Sequence, residues 1–174
     1  MTRRVTLASV ATIAMMIATP ALSAELCGMA ATEANGAMMV KTGAFEASCL
    51  PQSKCTIALS SIDGVSLALE RASVDGSWLA LVTAGSQIDS GAGIDLVFNG
   101  NDETRVAPDF LIASEDMKSV RVDDDVSQIV VSTMLESSTM QATVQLIGGK
   151  RIVHDIKLDD LAKAADWVDC VQAK

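Results

Sequence analysis

Residues 44–70 read AFEASCLPQSKCTIALSSIDGVSLALE, and the way they alternate decides the fold class. Val65, Leu67 and Leu69 interleave with Ser66, Ala68 and Glu70. A period of two places one apolar face against a core and one polar face toward water, which is the signature of a half-buried strand. Just upstream, Asp63-Gly64 supplies a hairpin turn, because glycine accepts the positive φ that tight hairpins demand. The run 56–60 alternates too, with Ile57 and Leu59 on one face. Further back, AFEASC and CTIALSS read as two extended runs joined by the turn-forming LPQSK, with Cys49 and Cys55 at the neck.

Four cysteines occur in all: Cys27, Cys49, Cys55 and Cys170. An even number in an exported chain reads as structural disulfides, and four cysteines allow three connectivities. The hairpin pattern favours Cys49–Cys55 as a clamp, which leaves Cys27 to Cys170. Chain entropy assigns about 2 kcal/mol to the short loop and about 5 kcal/mol to the long one. Cys27–Cys49 with Cys55–Cys170 stays open as the competing pattern. A redox dithiol requires C-x-x-C at a helix start, where the dipole lowers the thiolate pKa. Here the spacing is C-x5-C, with Pro51 inside and β-forming residues after it. Zinc requires paired short spacings or nearby histidines, and His154 is the only histidine.

The same reading extends along the chain. Residues 25–36 are small and polar without a period, a lead-in anchored by Cys27, and AMMVK (37–41) opens the first expected strand. A second Asp-Gly, at 75–76, is another expected hairpin turn, followed by a strand in SWLALVTA from Ser77. Residues 85–93 compose a loop, 94–98 alternate, and NGND turns the chain from Asn99. Pro108 limits any central strand in 104–122. In 126–138, β-branched Ile129, Val130 and Val131 argue for a strand. An Asp at the N-cap, with Val126, Ile129, Val130 and Met134 at helical spacing, argues for a helix, which is the expectation. MQATVQL and RIVHDIKL flank Gly148-Gly149 as a last hairpin. DDLAKAADWVDCV then makes a helix with Leu161, Ala164, Ala165 and Val168 on one face. Cys170 lies about 180° from Leu161 on that helix, near Trp167, so a bridge to Cys27 draws the lead-in across its outer side. Six to eight short strands and one or two helices predict a mainly β, β-rich α+β fold. It is an antiparallel sandwich or open barrel, stapled by disulfides, with a C-terminal helix.

The N-terminus has the layout of a secretory signal peptide. Arg3 and Arg4 precede an apolar run over 5–19, Pro20 breaks it, and Ala21, Ser23 and Ala24 follow. Cleavage is expected after Ala24, with the bond after Ser23 as second choice. Residues 1–24 are thus the expected leader and 25–174 a single β-rich domain, periplasmic or secreted, with no transmembrane segment after leader removal. Of 13 Lys+Arg and 22 Asp+Glu, the leader carries two arginines, so the processed chain has 11 basic side chains against 22 acidic and a net charge of −11. That charge repels phosphate backbones, excludes nucleic acid as a partner, and favours a protein partner, in particular a basic one.

No catalytic constellation emerges, and no cofactor or metal ligand is assigned. His154 shares strand parity with Ile152, Ile156 and Leu158, which makes it a core histidine before it is a general base. No G-x-S-x-G surrounds any serine. Asp123-Asp124-Asp125 lacks a calcium-loop pattern and reads as a solvated run suited to a helix N-terminus. NGND with Glu103 is a second acidic loop of the same kind. GGK (148–150) is a turn, and adjacent Met38 and Met39 read as packing residues.

The early Cys27, the Cys49-x5-Cys55 spacing entering a β-run, and the β-rich exported body together resemble bacterial invasion-associated locus B proteins. These are envelope or secreted proteins linked with invasion of host cells and have no known catalytic site. The resemblance lies in layout and assigns no site residue. It implies a non-enzymatic envelope, binding or accessory protein, with a role in host interaction. The alternative is a periplasmic inhibitor of a basic hydrolase, a lysozyme or protease, for which acidic charge and stapled, preordered loops are suited. A thiol–disulfide protein using Cys49 and Cys55 is the third class.

Overall fold

The computed structural model describes residues 23–50, 54–73 and 76–173. The expected leader, residues 1–22 of it, lies outside the described residues, as do Pro51 and Asp75. In chain order the strands are β1 (Ser23–Leu26), β2 (Met29–Ala34), β3 (Ala37–Thr42), β4 (Phe45–Cys49), β5 (Cys55–Ile62), β6 (Val65–Arg71) and β7 (Leu79–Ala84). There follow β8 (Ile94–Phe98), β9 (Asp102–Val106), β10 (Leu111–Ala113), β11 (Ser119–Val122), β12 (Thr139–Gln145) and β13 (Arg151–Lys157). Helix α1 (Asp124–Glu136) precedes β12, and α2 (Leu161–Gln172) ends the chain.

Two antiparallel sheets result, neither closed into a barrel. The larger has the order β1-β2-β3-β4-β5-β6-β7-β11-β10, and the smaller β13-β12-β8-β9. Alternation explains the packing: Val65, Leu67 and Leu69 of β6 are buried, as are Ile94, Leu96 and Phe98 of β8 and Met140, Ala142 and Val144 of β12. These faces meet in one continuous core. Helix α2 packs on β3, β4 and β5, and α1 packs on β7. At the β5–β6 turn both Asp63 (φ 51°) and Gly64 (φ 76°) are left-handed, the conformation a two-residue hairpin matched to strand twist requires.

The strand total exceeds the six to eight expected: thirteen occur among the described residues. The stretch 25–36, expected as an irregular lead-in, contributes to β1 and β2, with Cys27 and Gly28 forming the turn between them. Ala31 is its only buried residue, so backbone pairing holds this hairpin and its sequence carries no period. The expected cleavage point after Ala24 falls inside β1 and leaves Glu25 and Leu26 paired with Ala30 and Met29. AMMVK therefore opens the third strand.

Three local expectations shift for physical reasons. First, β5 buries Ile57 and Leu59 as expected but also carries a bulge. Its register passes from Ala58↔Ala68 to Ser60↔Leu67, so Leu59 is the extra residue of a bulge and Ser60 turns to the inner side with Leu67. Second, the helix expected after the acid run forms, with the Asp123 side chain accepting from the Asp125 amide. Its buried residues are Ser127, Val130, Val131 and Met134, while Ile129 is exposed. Ser127 wins the inner position because its hydroxyl accepts from the Ala80 amide (3.1 Å) and donates to the Val122 carbonyl (3.1 Å), closing a gap beside β7. Third, Trp167 is buried although it lies off the Leu161 face, because β1 covers it and the Leu26 carbonyl accepts its indole N–H at 3.1 Å.

Candidate interaction surface

The cysteines pair as Cys27–Cys170 and Cys49–Cys55. Cys49 and Cys55 are direct cross-strand partners on β4 and β5, with Cα atoms 4.1 Å apart and both residues buried. A thiolate attacking from solvent has no path to buried sulfurs, so this geometry suits a staple rather than an exchange centre. Cys27–Cys170 ties the β1–β2 turn to α2, and it does cross the helix side carrying Trp167. Next to it, Asp169 pairs with the nearly buried Arg71, which also donates from Nε to the Ser73 carbonyl and lies 5.5 Å from the Trp78 ring. Arg71 carries no signal in the sequence, since the carboxylate it pairs with, Asp169, lies 98 residues away.

His154 is fully buried on β13, its Nδ1 3.0 Å from the Ser60 hydroxyl that the β5 bulge turns inward. Burial pushes its pKa below the ordinary value, so it is a neutral imidazole at pH 7. Among the described residues its Nε2 has no hydrogen-bond partner, and the side chain is fully buried. The internal cavity between the sheets and α1 has a volume of about 40 Å³ and is walled by Leu59, Leu69, Leu96, Val130, Met134 and other apolar side chains. It presents no reactive group.

The acidic candidates separate. Asp124 and Asp125 are exposed at the start of α1, and Asp102 and Glu103 stand exposed on β9. Among the described residues no three His, Cys, Asp or Glu side chains converge as metal ligands. Met38 and Met39 are half-buried on β3, and Gly148-Gly149 turns β12 into β13. None of these brings together groups for catalysis.

What remains open is the end of the large sheet. Strand β10 stands at one end of that sheet and, among the described residues, pairs on one side only, with β11. Phe110, which closes a short 3-10 turn just before it, and Ile112 within it are 45% and 46% exposed, two apolar side chains close together in sequence at this edge. Carboxylates flank them. Asp109 precedes Phe110, Glu115 and Asp116 form the β10–β11 turn, and the Asp123 amide donates to the Phe110 carbonyl at 2.8 Å. Residues 109–125 contain six acids against Lys118 and Arg121. Arg121 is taken up by Asp124 at 2.8 Å. The Ser114 hydroxyl and the Lys118 amide both donate to the Asp116 carboxylate, holding its pKa below the ordinary value and keeping it charged. The result is an apolar centre with an acidic rim. The acid run and Pro108 are visible in the sequence, whereas the exposure of Phe110 and Ile112 depends on β10 being an edge.

No protein-family model, curated protein or solved structure matches this chain. Its two disulfides are compatible with an exported protein, and among the described residues no helix is long and apolar enough to cross a membrane.

Proposed function

We propose that this chain is a non-enzymatic exported binding protein, periplasmic or secreted, that docks a basic protein partner at the β10 edge. The observation that carries the reading is the exposed pair Phe110 and Ile112, at and just before the end strand β10, among six carboxylates. Interfaces join a desolvated apolar centre to a polar rim, and a rim of one sign steers partners of the other. Strand β10 has only three residues, too few to template strand addition, so docking runs through the side chains. Export is supported by the leader-like N-terminus and by disulfides that an oxidising compartment maintains. The resemblance in layout to invasion-associated locus B proteins supports an envelope role facing the host.

A photoreactive residue at Ile112, compared with one at exposed Ser132 on α1, tests this in the exporting cell. The expected outcome is one adduct with a basic protein from position 112, weakened by salt and lost in Phe110→Asp. Equal labelling from both positions, or none from 112, overturns it. A parallel titration against lysozyme and basic proteases separates the inhibitor reading: loss of hydrolase activity at near-stoichiometric amounts identifies the partner as the hydrolase. The intact mass of the exported chain, expected to start near Glu25, checks the leader.

A further inference from the structure

On the outer face of the smaller sheet, away from β10's apolar pair, Arg105 of β9 and Arg151 of β13 line one small pocket with Asp95, Thr143, Gln145, Ala92 and Gly93. Its volume is about 110 Å³. The arginines are 46 positions apart in sequence and on opposite edges of the four-stranded sheet, so the fold alone brings them together. Both are held from behind. Arg105 donates from Nη2 to the Ala92 carbonyl and pairs from Nη1 with Asp95 at 3.3 Å. Arg151 donates from Nε to Gln145 Oε1 at 3.4 Å, and Gln145 in turn donates from Nε2 to Asp89 at 3.0 Å. Gly93 (φ 74°) makes the Arg105 contact possible, since a Cβ there would lie 2.8 Å from the Val106 carbonyl and 3.2 Å from Arg105 Nε.

We infer that this pocket is an anion subsite that receives a carboxylate. Two guanidiniums against the Asp95 carboxylate leave a lining of net charge +1, in a chain that is otherwise strongly acidic. One negative charge balances that lining; a phosphate dianion exceeds it and meets repulsion from Asp95. The Nη groups of Arg151 form no hydrogen bond among the described residues, and a planar guanidinium fork matches the two oxygens of a carboxylate. Thr143 adds a hydroxyl donor. A carboxylate can come from a small organic acid or from the C-terminus of a peptide, and the pocket is large enough for either head group.

The test uses the whole processed chain and follows arginine Nε–H signals by NMR. The probes are acetate, a tripeptide with a free C-terminus, the same tripeptide as its C-terminal amide, and inorganic phosphate. Acetate and the free tripeptide are expected to shift the Arg105 and Arg151 signals saturably, with the amide inert and phosphate weaker. The probe that saturates at the lower concentration identifies the source. Arg151→Gln is expected to weaken binding at least about tenfold, the loss of the charge-assisted fork. Lys163→Gln, which removes a positive charge on α2, leaves it intact. Linear shifts without saturation, binding retained in Arg151→Gln, or tighter binding of phosphate each overturn the assignment. Backbone amide spectra of both variants verify that the fold is unchanged.

Discussion

Replacing both Cys27 and Cys170 by alanine removes a cross-link spanning 143 residues, against 6 for Cys49–Cys55. In the chain-entropy treatment the constraint on the unfolded state grows with the logarithm of loop length. The long loop is then worth about 5 kcal/mol and the short one about 2 kcal/mol. The core modifies the comparison. Cys49 and Cys55 are buried, whereas Cys27 and Cys170 are only half-buried. Truncating each buried sulfur adds roughly 1 kcal/mol of lost packing to the short-bridge variant, which brings the two total losses close together. The denaturant slope separates them. Releasing the long loop lets the unfolded chain expand and expose more surface, so m rises; releasing the six-residue loop leaves m unchanged. The assay is urea unfolding of the oxidised parent and the two double-alanine variants, followed by tryptophan fluorescence and circular dichroism. A loss below about 2 kcal/mol for Cys27→Ala/Cys170→Ala, with m unaltered, would refute the view that this bridge acts by tying the chain ends in the unfolded state.

Two further outcomes are expected. His154 has a folded pKa below its unfolded value near 6.5, so the unfolded chain takes up the proton first. Stability is therefore full above about pH 6.5 and falls as the pH drops toward the folded pKa, by at most about 1.4 kcal/mol per pH unit. Urea midpoints measured from pH 7.5 to 5.5 should show this slope in the parent and not in His154→Gln; an identical slope in both excludes the histidine, the only one in the chain, as its source. Ser127→Ala strands the Ala80 amide and the Val122 carbonyl and should cost about 1–3 kcal/mol in the same assay, against under about 0.5 kcal/mol for exposed Ser132→Ala. Equal losses for the two would mean that the Ser127 bonds contribute nothing net.

Much of the architecture follows from the residues of each element taken alone. Alternation in 65–69, 94–98, 140–146 and 151–158 reports the buried side of β6, β8, β12 and β13, because a strand's two faces see different solvents whatever lies beyond them. Asp63-Gly64 and Gly148-Gly149 mark turns for a reason internal to the backbone. For the cysteines the residues favour a hairpin neck and a tie between the chain ends but leave a rival pattern open, and the structure decides for Cys49–Cys55 and Cys27–Cys170. Tertiary structure alone decided the rest. Over 25–34 Ala31 is the one buried residue and backbone pairing carries the ladder, so no periodicity marks β1 and β2. Helical spacing puts Ile129 with Val126, Val130 and Met134, yet the seam beside β7 takes Ser127, whose hydroxyl both donates and accepts. The bulge at Leu59 turns Ser60 toward His154, a partner 94 residues away. The two candidate surfaces share that origin. Phe110 and Ile112 matter because β10 ends a sheet, and Arg105 and Arg151 because two strand edges carry them to one pocket. A period describes an element's own faces; which groups meet across elements is settled only when the sheets are ordered and packed.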